Sequence, residues 1–304
     1  MKALAAFVMR GRMSAAIVAA TTAVLALLVT PLAIVSAATV GLVTMRQGAR
    51  EAALVGGIGL VALAVLGLLL FGQAGPLVSV GIGLWVPLIL LGMALRLWRS
   101  LALTVEIAVA GGFGLVLVQY LLFDDPAVFW ASLIREFFGQ MLESGAVADA
   151  QVEAFIAAVA PWMVAGIAAA WVLQLTAAVF LARAWQATLY NPGGFRAEFR
   201  ELRLGRWLAV LVPVLLLTGM WSGKAGLAAQ LSLIGMAGFL IQGLALVHAL
   251  TARLKGGFAW LVGFYLLLFV GFPYSFTAVS ATGFADSWLD FRARIRPRDN
   301  AGGE

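Results

Sequence analysis

The stretch LLLFVGFPYSFTAV (266–279) decides the topology of this chain, because one proline, Pro273, stands in the middle of a long apolar run. A proline in such a run either kinks a helix or begins a new one. If Pro273 kinks a helix, the chain crosses a membrane once. If it begins a new helix, the chain turns back and the arginine-rich segment FRARIRPR (291–298) returns to the side on which the run began.

Composition places the chain in a lipid environment. It is 63% hydrophobic and 11% charged, with a mean hydropathy of +1.03. Soluble domains are about 45–50% apolar and about 25% charged. A chain with so few charges lacks the polar groups to cover a globular surface, so we predict an all-α, polytopic transmembrane helical bundle.

Apolar runs divide the chain into the segments of this bundle. Because a spanning helix needs roughly 20 residues, we predict about 8–10 membrane segments. The first two segments flank Pro31 and the last two flank Pro273, so each end of the chain is predicted to form a proline-broken hairpin. The segments are 13–30, 31–45, 52–71, 77–95, 101–123, 158–182, 207–222, 226–250, 257–271 and 273–288.

Charge favours hairpins over single spans at both ends. With hairpins, all of the 20 lysines and arginines except Arg135 and Lys224 lie on one side. Single spans would move seven of these charges across and nearly remove the asymmetry. Cytoplasmic loops carry the excess of lysine and arginine, so we predict a multi-pass protein of the bacterial inner membrane with both ends of this chain in the cytoplasm. The chain therefore turns back at Pro273.

This topology predicts a single transmembrane domain over residues 1–290 and a cytoplasmic tail over 291–304. Its outer face carries the acidic segment 124–157, which begins with the helix-capping pair Asp125-Pro126. Phe129, Leu133 and Phe137 then recur at helical spacing, which is typical of an amphipathic helix. This helix either rests on the outer surface of the membrane or closes over a pocket.

The inner face carries a basic loop over 184–206. We expect Arg196, Arg200 and Arg203 to contact lipid headgroups or to dock a cytoplasmic partner protein. Trp185 and Trp207, which flank the loop, are interpreted as anchors at the membrane boundary.

Polar side chains inside apolar segments are costly and mark candidate sites. Glu106 and His248, together with one arginine among Arg96, Arg99 and Arg183, suggest a polar layer near the inner end of the helices. The layer either fixes helix packing or forms a proton- or ligand-coupled site. The candidate substrate-binding residues are Glu106, Gln119, Gln174, Gln230, Gln242 and His248, of which Gln119 and Gln230 are placed near an outward pocket.

Residue types argue against an enzyme. The chain has one histidine and no cysteine, and no serine stands in a Gly-x-Ser-x-Gly setting. Its glycine clusters lack the strand–turn–helix context of a nucleotide fingerprint. We therefore predict no catalytic residues, no metal, no cofactor and no nucleic-acid partner.

Three stretches carry a resemblance to a known family: NPGGFRAEFRELRLGRW (191–207), IQGLALVHA (241–249) and DSWLDFRAR (286–294). In this order, after several spans, they resemble the YybS-like family of bacterial membrane proteins, a family of unknown function. That family is similar to the substrate-binding S-components of energy-coupling-factor vitamin transporters, although this chain has more segments than an S-component.

The resemblance implies an S-component-like core that holds a small molecule and meets a membrane partner through an alanine face on its first helix. Ala15, Ala19 and Ala23 match that face in spacing, and such faces also allow close helix packing. The leading prediction is a small-molecule binding or transport protein without an ATPase of its own. The alternative is a membrane scaffold that docks a partner through its basic loop and tail.

Overall fold

The computed structural model of the 304-residue chain describes residues 1–143, 148–222, 226–254 and 257–294. Lys224, Lys255, most of the predicted tail and the middle of the predicted outer segment lie outside these residues. The described residues contain no strand and fold into helices α1 to α14: Lys2–Val8, Arg12–Leu25, Leu32–Gln47, Ala49–Phe71, Gly75–Trp98, Leu101–Leu122, Pro126–Glu143, Asp149–Tyr190, Gly194–Glu201, Arg206–Ser222, Leu227–Arg253, Phe258–Val270, Tyr274–Leu289 and Phe291–Arg294.

Helix length and hydropathy confirm an all-α membrane protein. Among the described residues, five helices are long and apolar enough to cross a membrane: α4, α5, α6, α8 and α11. The count rises to seven if the bent pairs α9–α10 and α12–α13 each form one span. All ten predicted apolar segments are helical, but α2 and α3 have only 14 and 16 residues. The chain is therefore a multi-pass membrane protein.

Both predicted reversals are present. The axes of α12 and α13 change direction by 120° at Pro273. At the other end, the Ser36 hydroxyl donates to the Ala19 carbonyl at 2.7 Å. Since these residues are 17 positions apart, the chain must double back between α2 and α3. α12 is about 20 Å long and α13 about 24 Å at 1.5 Å per residue, so each is shorter than a hydrocarbon core of about 30 Å.

The chain divides into two compact units. Unit 1 comprises Met1–Ala108 and Leu173–Leu202, and unit 2 comprises Val109–Val172 and Arg203–Glu304. In unit 1, α2 packs against α3 and α4, and α5 packs against the same two helices. In unit 2, α11 packs against α10 and α13.

A buried hydrogen-bond chain joins three helices of unit 1. Trp85 of α5 donates its indole N–H to the Ser36 hydroxyl at 2.9 Å, and Ser36 donates onward to Ala19. Trp85 fits because Gly59 has no side chain: a Cβ there would lie 2.7 Å from the indole ring. The membrane interior offers no water to such groups, so internal partners are required.

The outer segment forms a small core within unit 2. The Asp125 carboxylate caps α7 by accepting from the Ala127 amide at 2.9 Å, as the sequence predicts. Ile134 and Phe138 of α7 pack with Trp130 and Ala131 against α8 residues Val152, Ile156 and Ala160. Of the predicted apolar face, Phe137 is 80% exposed, whereas its neighbour Phe138 packs into this core together with Trp130 and Ile134.

Candidate functional site

The arginines of unit 1 gather at one end of its helices. Arg12, at the start of α2, forms a bidentate ion pair with Glu51 near the start of α4, with both N–O distances at 2.7 Å. Arg46, at the end of α3, lies over the ring of Tyr190 at the end of α8, 3.8 Å from the ring centroid. Arg96, near the end of α5, donates to a carbonyl near the end of α3 at 3.4 Å. These contacts place the starts of α2 and α4 and the ends of α3, α5 and α8 at one edge of unit 1.

A cavity of about 340 Å³ opens at this edge, and we call it the arginine cavity. It lies among the ends of α3, α5 and α8 and the helix α9. Its lining combines three guanidinium groups, one carboxylate, one amide and two apolar side chains: Arg96, Arg99, Arg183, Glu198, Gln186, Met45 and Leu95.

Arg183 is the buried member of the lining, with 8% of its surface exposed. Its Nε donates to the Glu198 carboxylate at 2.9 Å, and its Nη2 donates to the other oxygen of the same carboxylate. Nη1 of Arg183 is also buried, and it has no hydrogen-bond partner in the described part of the chain. A buried donor without an acceptor is costly, so the hydrogen bonding of Arg183 is incomplete among the described residues.

Local backbone geometry shapes the cavity. Gly48 ends α3 with φ +98°, and a Cβ at this position would lie 3.2 Å from Nη1 of Arg96. Gly194 starts α9, and a Cβ there would lie 3.2 Å from Nη2 of Arg183. Arg99 ends α5 in the left-handed region with φ 51°, where an L side chain is uncommon. Small residues thus leave room for the guanidinium groups.

Charge in the arginine cavity is not balanced. The lining contains three guanidinium groups, which are cationic side chains, and Glu198 is its single carboxylate. The lining therefore has two positive charges without a carboxylate partner. Such an arrangement is electrostatically suited to an anion.

The residues of the predicted polar layer are divided between the two units. Glu106 and Gln174 are half-buried in unit 1 and are not among the residues that line the arginine cavity. His248 lies in unit 2, where its Nε2 is 2.9 Å from the Tyr265 hydroxyl. Each of these residues stays a predicted site residue, and the three arginines considered for the layer line the arginine cavity of unit 1.

Gln119 and Gln230 are both hydrogen-bonded to aromatic side chains of unit 2. The Gln119 carbonyl oxygen accepts from the Trp130 indole at 3.0 Å. The Gln230 amide donates to the Tyr120 hydroxyl at 2.8 Å. These bonds join α6 to α7 and α11.

Gln242 is fully buried and forms the centre of a second polar cluster, which we call the polar node. Its carbonyl oxygen accepts from the Leu204 amide at 2.8 Å. Its amide donates to the Gly283 carbonyl at 2.8 Å and to the Ser287 hydroxyl at 3.0 Å. The node thus joins the entrance of α10 to α11 and α13. It draws together all three stretches that carry the family resemblance.

Two ion pairs complete the polar node. Arg203 donates to the Asp290 carboxylate, and this hydrogen bond holds the pKa of Asp290 below its usual value. Asp286 and Arg292 are 1% and 3% exposed, with 3.4 Å between Nε and Oδ2. Burial lowers the pKa of Arg292. Arg203, predicted to meet headgroups or a partner, is thus paired within the chain.

The other two candidate docking residues, Arg196 and Arg200, lie on α9. Phe195 and Phe199 of this helix pack against Phe180 of α8, with ring centroids 5.8 and 5.3 Å from it. Arg196 is exposed and Arg200 is half-buried. The apolar side of α9 is therefore used within unit 1, and a basic side remains accessible.

Two other predicted surfaces are buried. Ala15, Ala19 and Ala23 are at most 1% exposed, so the alanine face of α2 packs inside unit 1. Trp185 is 2% exposed, and its interpretation as a boundary anchor is therefore wrong, whereas Trp207 is 45% exposed. In both cases the apolar side chain is covered by the chain's own helices.

A second, apolar cavity of about 480 Å³ lies in unit 2. It is bordered by Trp162, Leu216, Met220, Leu233 and Met236, with hydroxyls from Ser232 and Thr277. Several of these side chains are exposed on helices of membrane character, so lipid contact accounts for this cleft.

No protein-family model matches this chain, and neither a curated protein nor a solved structure matches it. The resemblance to the YybS-like family therefore stays a prediction. The function has to be argued from the geometry of the site.

Proposed function

We propose that this protein binds a small anionic molecule in the arginine cavity, as a binding or transport component of the bacterial inner membrane. One observation carries the proposal. A cavity large enough for a small molecule is lined by three guanidinium groups and a single carboxylate, and one buried guanidinium nitrogen has no partner among the described residues. Ligand sites typically measure about 300–1,000 Å³ and use a few well-placed polar groups.

The positive-inside bias assigns the arginine end to the cytoplasmic face. The anion would therefore bind from, or be released to, the cytoplasm. Gln119 and Gln230, the residues that the sequence places near an outward pocket, are hydrogen-bonded to aromatic side chains and do not line the arginine cavity. An alkaline phosphatase reporter fused after Glu304 tests the orientation: the enzyme is active only in the periplasm, so a cytoplasmic location of this end predicts an inactive reporter.

A transport cycle would need an energy source outside this chain. The sequence has no nucleotide-binding motif, so ATP-driven transport requires partner subunits. This requirement is shared with the S-components that the family resemblance implies.

Ligand binding is tested with the full chain purified in a mild detergent. Thermal stabilisation is measured across a panel of anions, cations and neutral metabolites for the native protein and for Arg183→Gln. Arg50→Gln is the matched control, because Arg50 is an exposed arginine of unit 1 that does not line the cavity.

Stabilisation by anions alone, lost in Arg183→Gln and kept in Arg50→Gln, is the expected result. A panel in which no anion stabilises the native protein, or in which both variants behave like it, would overturn the proposal.

A second candidate function is docking of a cytoplasmic partner through α9. The favouring observation is that Phe195 and Phe199 pack inward while Arg196 is exposed. Charge reversal in Arg196→Glu should remove a co-purifying partner without lowering Tm. Unchanged co-purification would exclude this function.

A further inference from the structure

We infer that the anion of the arginine cavity is a phosphate monoester, an inference that rests on the proposed function and names its ligand class. The first reason for this ligand class is charge. Three guanidinium groups and one carboxylate leave two positive charges to be matched. A phosphate monoester carries about −1.5 to −2 at pH 7, whereas a phosphodiester or a simple carboxylate carries one negative charge.

Donor geometry points to the same ligand. A guanidinium group presents several N–H donors in a rigid plane, which suits the oxygens of phosphate. Glu198 accepts from Nε and Nη2 of Arg183, and Nη1 has no hydrogen-bond partner among the described residues. Arg96 and Arg99 at the end of α5 and the Gln186 amide of α8 also line the cavity and supply further donors. A group with three equivalent terminal oxygens can accept from several directions at once.

The position of the cavity allows two sources for this phosphate. Arg96 and Arg99 stand at the last residues of α5, a helix long and apolar enough to span, and therefore at the depth of the headgroups. Either the headgroup of a lipid with a terminal phosphate or a small soluble phosphate ester can reach that depth. The two sources share their chemistry and are separated by experiment.

The soluble arm compares methyl phosphate, dimethyl phosphate and succinate by calorimetry with the detergent-purified protein at pH 7.5. Methyl phosphate should bind at least about tenfold more tightly than dimethyl phosphate, which is the worth of one charge-assisted hydrogen bond. This preference should shrink at pH 5, where methyl phosphate has lost its second charge.

The lipid arm reconstitutes the protein in nanodiscs that contain phosphatidic acid or phosphatidylglycerol. Native mass spectrometry then counts the lipids retained after release. Selective retention of phosphatidic acid identifies a lipid as the source, and selective binding of methyl phosphate without it identifies a soluble ester.

Variants tie either result to the cavity. Arg183→Gln and Arg99→Gln should each lose the preference, and Arg50→Gln should keep it. Arg99 is exposed, so its replacement tests the site even if Arg183→Gln lowers the yield of folded protein.

The results distinguish a failure of the phosphate inference from a failure of the proposed anion binding. Succinate binding that depends on Arg183 without any preference for methyl phosphate or phosphatidic acid overturns the phosphate inference and leaves anion binding intact. Binding of none of these anions overturns both.

Discussion

The arginine cavity of unit 1 and the polar node of unit 2 use the same side-chain types in opposite ways. In the polar node, Arg203 and Arg292 each have an aspartate, and both ends of the Gln242 amide are hydrogen-bonded. In the arginine cavity, three arginines share one carboxylate. The polar node therefore pairs its arginines and aspartates in equal number, whereas the lining of the arginine cavity has more arginines than carboxylates.

This difference separates structural polarity from functional polarity within one membrane protein. Buried polar groups that satisfy one another fix a helix arrangement, because breaking any one bond leaves its partner without water. Groups with spare donors and excess charge are expensive in the absence of a ligand. The two clusters thus differ in their balance of charge and not in their side-chain types.

The largest expected loss of stability comes from a substitution in the contact between α11 and α13, which supports the polar node. Gly283→Ala would place a Cβ 2.1 Å from the Phe239 carbonyl oxygen and 2.6 Å from the Gly243 nitrogen, both of them backbone atoms of α11. Because α11 and α13 must separate to admit it, we expect a loss of about 3 kcal/mol. Thermal unfolding in detergent measures the effect.

The control for this change is Gly263→Ala on α12, where an added Cβ meets nothing within 4 Å. Equal Tm values for the two variants would show that the close contact of α11 and α13 does not exist.

The node itself is tested by Gln242→Leu. Leucine keeps the approximate volume but leaves the Leu204 amide and the Gly283 carbonyl without their partner. The expected loss is about 1–3 kcal/mol, read as a fall in Tm. The same change at the exposed Gln151 should be nearly neutral. A stable Gln242→Leu protein would argue that water replaces the amide.

The role of charge in the arginine cavity is tested by Glu198→Gln, which removes the single carboxylate of the lining. Affinity for the anion should rise about fivefold, since an ion pair at a partly exposed site is worth roughly 1 kcal/mol. Calorimetry measures this change, with Glu201→Gln on the same helix as the control. Weaker binding in Glu198→Gln would show instead that Glu198 is needed to hold Arg183 in place.

The smallest expected effect is on the pH dependence of the unfolding temperature. Asp290 has a lowered pKa in the folded protein because Arg203 donates to it. Its stabilising contribution is therefore present above the ordinary aspartate pKa of about 4 and is lost as pH falls through the lower, folded value. In Asp290→Asn, Tm should fall less steeply below about pH 4 than in the native protein. Identical slopes would show that the pair contributes nothing.

Much of the fold was predictable because its determinants are local. The predicted segment 52–71 corresponds to the helix Ala49–Phe71, and the predicted segment 226–250 corresponds to the helix Leu227–Arg253. Both were predictable because length and hydropathy alone define a spanning helix. The reversals at Pro31 and Pro273 follow from proline chemistry and from the distribution of charge.

The candidate site was only half predictable, because it depends on contacts between distant segments. Arg96, Arg99 and Arg183 stood out in the sequence, but Glu198 did not. Its pairing with Arg183 requires the tight turn before α9, where Gly193 has φ +87°. Gln242 was noticed as a polar residue at membrane depth, yet nothing in its neighbourhood indicates the Leu204 amide, 38 positions away.

The helix α8 has 42 residues and is about 63 Å long, twice the thickness of a hydrocarbon core of about 30 Å. Roughly half of it therefore projects into water, and its first turns are braced by Trp130, Ile134 and Phe138 of α7. An antibody fragment raised against this braced pair would provide a rigid alignment mark for electron microscopy. Such a mark would make particles of a 32.0 kDa chain distinguishable from the detergent belt around them.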